Sequence, residues 1–93
     1  MLLYSASREQ LRRRVWEKGR AIVGADSSRW RRDAGGWVMQ YADYDNHASP
    51  YCWVMHHRVP KHRGGSGAAF NLTPVNTGRL RASQDPSPWA RRR

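Results

Sequence analysis

The chain has 93 residues, enough for one small domain and too few for two. Seventeen Lys and Arg residues stand against seven Asp and Glu residues, and the formal net charge of +10 favours a polyanionic partner. The single cysteine, Cys52, excludes an internal disulfide and a cysteine-rich zinc site. No apolar run approaches the roughly 20 residues of a membrane span, so we expect a soluble, cytoplasmic protein that does not enter a membrane.

The first predicted element is a helix from Ser7 to about Gly19. Ser7 is a candidate N-cap because Gln10 follows three residues later, in the capping-box arrangement. Leu11 and Val15 are four residues apart and share one face of such a helix. The arginines at positions 12–14 spread around the rest, either as a solvated surface or as phosphate contacts.

The segment from Arg20 to Tyr44 is expected to hold two short strands, or a strand and a turn. Ala34-Gly35-Gly36 is typical of a turn, and residues 37–41 are rich in residues that favour strands. Residues 43–50 are polar and turn-rich, which predicts a loop.

A longer strand is predicted from Tyr51 to Val59, ending at Pro60 because proline cannot donate to a sheet ladder. Lys61 to Gly67 is expected to be a flexible basic loop. Thr73 as N-cap and Pro74 as the first helical residue predict a helix through about Ser83.

The last residues, 86–93, contain two prolines and end in three arginines. This composition predicts a disordered Arg-rich tail that adds non-specific affinity for nucleic acid, after a single domain at residues 1–85. Within that domain we expect the core to contain Cys52, as a small hydrophobic residue, and the tryptophans Trp16, Trp30, Trp37 and Trp53. Trp89, in the tail, is expected to be exposed.

One ordered set of motifs resembles the HNH endonuclease family. It runs from Trp53 through His56-His57 to Pro60, continues with Gly64-Gly65, and ends with Asn71-Leu72-Thr73-Pro74-Val75. The lead-in at residues 15–19 and 30–33 is also similar, so the resemblance covers about residues 15–85. It implies an α+β fold, a small ββα-metal domain in which a hairpin and its loop are followed by a packed helix, here with an additional N-terminal helix.

The resemblance also implies a catalytic site for phosphodiester hydrolysis. His57 would be the general base that activates water, since a neutral imidazole is basic near pH 7. His56 would bind a divalent metal ion (Mg, Mn, Ni or Zn) that stabilises the leaving oxygen. Asn71 would hold the loop and orient the base.

The sequence departs from the family pattern at its last metal-ligand position. That position falls on Arg79 or Leu80, and neither side chain is a metal ligand. Asn76 is the candidate substitute, with His47 or His62 as further partners.

The expected function is therefore metal-dependent cleavage of DNA, weakened by an incomplete metal site. The predicted nucleic-acid contacts are Arg58, Lys61, Arg63, Arg79 and Arg81. Two alternatives stay open: a catalytically inactive HNH-like module that binds DNA or a protein partner, and a basic adaptor that binds an acidic protein surface.

Overall fold

One helix precedes five short strands in the computed structural model, which describes residues 2–78, with side chains from Arg8 onward. The elements in chain order are α1 (Leu2–Trp16), β1 (Arg20–Ala21), β2 (Trp30–Arg32), β3 (Val38–Gln40), β4 (Trp53–His57) and β5 (Leu72–Asn76). Single turns of 3-10 helix lie at Tyr41–Asp43, Lys61–Arg63 and Ala69–Asn71. The predicted tail at residues 86–93, including Trp89, lies outside the described residues.

The helix α1 begins earlier than predicted. Ser7 is not its N-cap, because the helix starts at Leu2 and continues through Ser7. No glycine or proline precedes Ser7, so nothing in the local sequence breaks the helix there. At the other end, the amides of Lys18 and Gly19 donate to carbonyls three residues back, which closes the last turn close to the predicted end.

The strands β1, β2 and β3 form an antiparallel sheet in chain order. Trp30 pairs with Gln40, and Arg32 pairs with Val38. The predicted glycine turn joins β2 to β3: Gly36 has a φ of +89°, a conformation that favours glycine, and its amide donates to the carbonyl of Asp33. The turn is thus confirmed, but the segment from Arg20 to Tyr44 holds three strands, one more than the two short strands of the first alternative.

The strands β4 and β5 form a separate antiparallel hairpin, with Trp53 opposite Asn76 and His57 opposite Leu72. The strand predicted from Tyr51 to Val59 is confirmed, but it is shorter and runs from Trp53 to His57. A 14-residue connection, residues 58–71, joins the two strands and is called the hairpin loop below.

The prediction of a helix starting at Thr73 and Pro74 is wrong, because both residues lie in β5. The amide of Thr77 donates to Cys52, and the amide of Arg58 donates to Asn71. Since hydrogen-bonded pairs alternate along an antiparallel ladder, Pro74 occupies a position whose nitrogen faces away from β4. A proline there removes no ladder hydrogen bond. The part of that predicted helix beyond residue 78 lies outside the described residues.

An aromatic core packs the helix against both sheets. The buried cluster is Val15, Trp16, Met39, Trp53 and Leu72. The rings of Trp16 and Trp53 lie 5.1 Å apart, measured between centroids. Both indoles are fully buried, as predicted, whereas Trp30 and Trp37 are only half-buried.

Buried polar contacts join the two sheets. The carboxylate of Asp33 accepts hydrogen bonds from the amides of Trp37 (2.9 Å) and Asn76 (3.0 Å). In return, the Asn76 side-chain amide donates to the carbonyls of Val38 (2.6 Å) and Pro50 (3.0 Å). These bonds set the position of the β4–β5 hairpin, and with it the hairpin loop. No helix among residues 2–78 is long and apolar enough to span a bilayer.

Candidate functional site

The two histidines at the end of β4 lie on opposite faces of the hairpin. Residues directly opposite each other in an antiparallel pair share a face, so His57 lies beside Leu72, while His56 lies beside Thr73. Leu72 is buried in the core, whereas His56 is exposed. The strand ends at His57, yet its pleat still separates the two imidazoles.

The buried ring nitrogen of His57 has no hydrogen-bond partner. Its Nε2 atom has essentially no contact with solvent and no donor or acceptor in range within the described residues. Leaving a buried polar group unpaired costs about 1–3 kcal/mol. In the tautomer that carries its proton on Nδ1, a neutral imidazole accepts a proton at Nε2, as a general base does. Because solvent does not reach Nε2 in this conformation, the end of the hairpin would have to open before this atom could meet a water molecule.

Asn71 joins the two ends of the hairpin loop by bonding to Val59, and this place is called the neck of the loop below. Its Oδ1 accepts from the amide of Val59 (2.8 Å), and its Nδ2 donates to the carbonyls of Val59 (3.0 Å) and Ser66 (2.7 Å). The residue is buried, so water competes little with these bonds. This geometry is that of a residue that holds the loop, one of the two roles that the resemblance implies.

The Gly64-Gly65 pair meets two separate backbone requirements of the hairpin loop. Gly64 has a φ of +84°, in the left-handed region. A Cβ atom on Gly65 would lie 1.7 Å from the carbonyl oxygen of Val59. The loop backbone therefore passes too close to the neck at Gly65 for any other residue.

Lys18 is a structural contributor that sequence reasoning missed. Its ammonium group donates to the carbonyls of Leu72 (2.7 Å) and Ala69, on either side of Asn71. The sequence carries no local signal for this contact, because Lys18 and Leu72 are 54 residues apart.

Asn76 does not lie with His56 on the hairpin. Asn76 is three residue pairs away from His56, about 10 Å along the strands, and on the opposite face. Its Nδ2 atom holds two carbonyls, and its Oδ1 atom is buried without a partner. The side chain joins the two sheets, so its surroundings do not suit the predicted role of metal ligand.

The described residues do not fit a divalent-metal site. Among them, no group of three or more His, Cys, Asp or Glu side chains could hold a metal ion. His47 bonds Asp45 at the surface (2.9 Å), and His62 lies in the exposed turn Lys61–Arg63. Neither joins His56 in such a group. Arg79, at the position where the resemblance implies the last ligand, lies outside the described residues.

Three of the predicted nucleic-acid contacts lie together on the hairpin loop. Arg58, Lys61 and Arg63 are exposed, as is every residue from 58 to 64. None of the three forms an ion pair within the part of the chain that the structure describes. Their charges are therefore available to an external anion. The other two predicted contacts, Arg79 and Arg81, lie beyond the described part.

Cys52 is fully buried, as predicted for a small hydrophobic residue. The Thr77 hydroxyl donates to its sulfur (3.0 Å), and the Nδ1 atom of His47 lies 3.8 Å away. Because no solvent reaches the sulfur, the thiol is closed to a substrate in this conformation.

In comparisons with known proteins, no family model, no curated protein and no solved structure matches the chain.

Proposed function

We propose that this chain is an HNH-like domain that binds DNA through its hairpin loop and carries an incomplete nuclease site. The observation that carries the proposal is the exposed basic group of Arg58, Lys61 and Arg63 on a loop anchored by Asn71. This group forms no ion pair with the side chains described in residues 8–78. Phosphate oxygens are the natural partners of such a group, since Arg and Lys release counterions from DNA when they bind it. The net charge of +10 adds long-range attraction.

The finer fold assignment, a ββα-metal domain, belongs to this proposal. The strands β4 and β5 would be its paired strands. Support comes from the long hairpin loop, whose neck is closed by a buried asparagine and a glycine pair.

Binding is favoured over cleavage by the arrangement of the candidate ligands. His56 and Asn76 lie on opposite faces of the hairpin, and Asn76 already bonds two carbonyls. A single exposed imidazole holds a divalent ion poorly. Without a second ligand among the described residues, the leaving oxygen lacks the stabilisation that phosphodiester hydrolysis needs.

The test is a salt titration of DNA affinity for the wild type and for a loop variant with Arg58→Gln, Lys61→Gln and Arg63→Gln. Each lost phosphate contact should reduce the slope of log K against log salt by about 1. The matched control, Arg14→Gln with Arg20→Gln and Arg29→Gln, removes three exposed charges from outside the hairpin loop and should change the slope less. The proposal fails if the wild type binds no DNA, or if it binds only an acidic protein.

A second candidate function, hydrolysis of DNA with His57 as general base, is favoured by the unpartnered Nε2 atom. In this reading the end of the hairpin opens to admit the attacking water, the imidazole accepts its proton, and Asn71 fixes the loop beside it. The loop cations would align the phosphate.

Plasmid nicking in the presence of Mg²⁺, Mn²⁺, Ni²⁺ or Zn²⁺ separates the two candidates. Activity that disappears in His57→Ala and persists in His62→Ala selects the endonuclease. Salt-sensitive binding without nicking in any of the four ions selects the binding module. In that case Arg79→Asn, which supplies a ligand type at the family position, tests whether cleavage can be gained.

A further inference from the structure

Phe70 is the only exposed aromatic residue among the side chains described in residues 8–78. Three quarters of its surface is open to solvent, whereas the described tryptophans and tyrosines are buried or half-buried. A single exposed apolar residue is ordinary on a protein surface. What distinguishes Phe70 is the backbone on which it is held.

The backbone on both sides of Phe70 is anchored. The carbonyl of Ala69 accepts from Lys18, and Asn71 is bound to Val59 and Ser66 through its side chain. The amide of Asn71 also donates to Ala68, which closes the 3-10 turn that contains Phe70. The ring is therefore presented to solvent on a fixed turn, with few backbone states to lose on binding.

The turn that carries Phe70 is bonded to the start of the basic hairpin loop. Arg58 donates its amide to the carbonyl of Asn71, next in the chain to Phe70. Val59, half exposed, is bonded to the Asn71 side chain at the same neck. Lys61 and Arg63 follow in the exposed loop. Phe70 and these three exposed cations therefore belong to one loop, residues 58–71. An exposed aromatic ring and exposed cations on one surface segment are the combination that binds a nucleic-acid strand by stacking on its bases while the cations hold its phosphates.

We propose that Phe70 stacks on an unpaired base, so that the hairpin loop binds single-stranded DNA in preference to duplex DNA. The preference follows because bases in a duplex are already stacked on both faces, whereas an unpaired base has a free face for the ring. This inference rests on the proposed DNA binding and names its substrate class.

The test compares the affinities of the full-length wild type and Phe70→Ala for a single strand and for the duplex of the same sequence. The single strand carries one 2-aminopurine, whose fluorescence falls when an aromatic ring stacks on it. Loss of the ring should weaken single-strand binding by about 10-fold or more, the range found when stacking side chains are replaced by alanine. Duplex binding should change by less than about 3-fold, because the phosphate contacts remain.

Three further variants test whether aromatic stacking causes the loss of affinity. Phe70→Trp should restore affinity and fluorescence quenching, whereas Phe70→Leu should restore neither. Val23→Ala shortens a fully exposed apolar residue outside the hairpin loop and should behave as wild type. Equal losses for single strand and duplex, or full affinity in Phe70→Leu, would overturn the stacking proposal. If the wild type binds DNA and Phe70→Ala binds equally well, only this inference fails. If the wild type binds no DNA, the proposed function fails with it.

Discussion

At the scale of single residues, a buried amide at Asn71 and a half-buried phenol at Tyr41 form hydrogen bonds between different parts of the chain. The Asn71 side chain forms three hydrogen bonds across the neck of the hairpin loop. The Tyr41 phenol donates to Glu9 (2.9 Å) and thereby connects α1 to the turn after β3. Asparagine and tyrosine are common on protein surfaces, so the residue type alone does not show a structural role. The hydrogen-bond partners of Asn71 and Tyr41 show it.

Replacing Asn71 should release the hairpin loop. We expect Asn71→Ala to lower the free energy of unfolding by about 2–3 kcal/mol, because three part-buried bonds are lost. Asn71→Asp should be nearly as harmful, since a carboxylate cannot donate to the carbonyls of Val59 and Ser66. Urea denaturation measures both changes. The exposed Asn46→Ala is the control and should cost less than about 1 kcal/mol; equal effects at the two positions would contradict the assignment.

Ionisation of the Tyr41 phenol should make the folded state less stable at high pH. Burial raises the pKa of the Tyr41 phenol above its ordinary value of 10.0, and the hydrogen bond to Glu9 raises it further, against an opposing effect of Arg13. A pKa that is raised in the folded state stabilises the fold below pH 10, and this contribution is lost as pH rises through the folded pKa.

The melting temperature should therefore fall more steeply above about pH 10 in the wild type than in Tyr41→Phe, because only the wild type has this phenol to ionise. Tyr44→Phe, which removes a neighbouring phenol packed on Trp53, is the control and should retain the steep fall. Parallel curves for wild type and Tyr41→Phe would show that Tyr41 is not the cause.

At the scale of elements, the hairpin loop is held by its neck and not by regular structure. Within the hairpin loop, regular structure is limited to single turns of 3-10 helix. The loop is constrained instead by the hydrogen bonds of Asn71 and Lys18 and by the close approach of Gly65 to Val59. The strands on either side are five residues each. The position of the basic side chains therefore depends on a few contacts that single substitutions can remove.

Adding one methyl group at Gly65 should disrupt this loop. The new Cβ of Gly65→Ala would collide with backbone atoms of Val59, and backbone cannot move aside as a side-chain end can. We expect a cost of about 1–3 kcal/mol together with weaker DNA binding. Gly67→Ala is the matched control in the same loop: no heavy atom lies within 4 Å of its Cβ position, so stability should change by less than about 1 kcal/mol. Thermal melting that does not distinguish the two variants would refute the close approach.

At the scale of the whole molecule, two small sheets act as one unit because a helix and a polar bridge join them. Trp16 from α1 packs on Trp53 from β4, and Asp33 from the turn after β2 binds the backbone of Asn76 in β5. A two-stranded hairpin is marginal by itself in water, so the candidate site depends on this docking.

Removing the Asp33 carboxylate should loosen the hairpin from the rest of the domain. Asp33→Ala leaves the buried amides of Trp37 and Asn76 without acceptors, and we expect a loss of about 2–4 kcal/mol. Hydrogen exchange should show reduced protection of the β5 amides. Glu17→Gln, which removes an exposed carboxylate, should leave protection unchanged. If protection in β5 survives in Asp33→Ala, the bridge does not hold the hairpin.

Local sequence signals determined the parts of the fold that depend on neighbouring residues. The α1 periodicity, the glycine turn after β2 and the strand that ends before Pro60 were all predictable, because propensity and turn chemistry act over a few positions. The helix predicted at Thr73 and Pro74 failed for the same reason. A capping signal is local, and pairing with β4 at a position that needs no amide donor outweighed it.

The resemblance carried by the two histidines and Asn71 marked the candidate site from sequence alone, and the basic composition pointed to a polyanionic partner. Only the tertiary structure decided how those residues are placed. His56 and His57 lie on opposite faces of the hairpin, because the side chains of a strand alternate between its two faces. Asn76 joins the two sheets and does not lie on the face of His56. The tertiary structure also anchored the turn under Phe70 through Lys18, a contact between residues distant in the chain that no local pattern encodes.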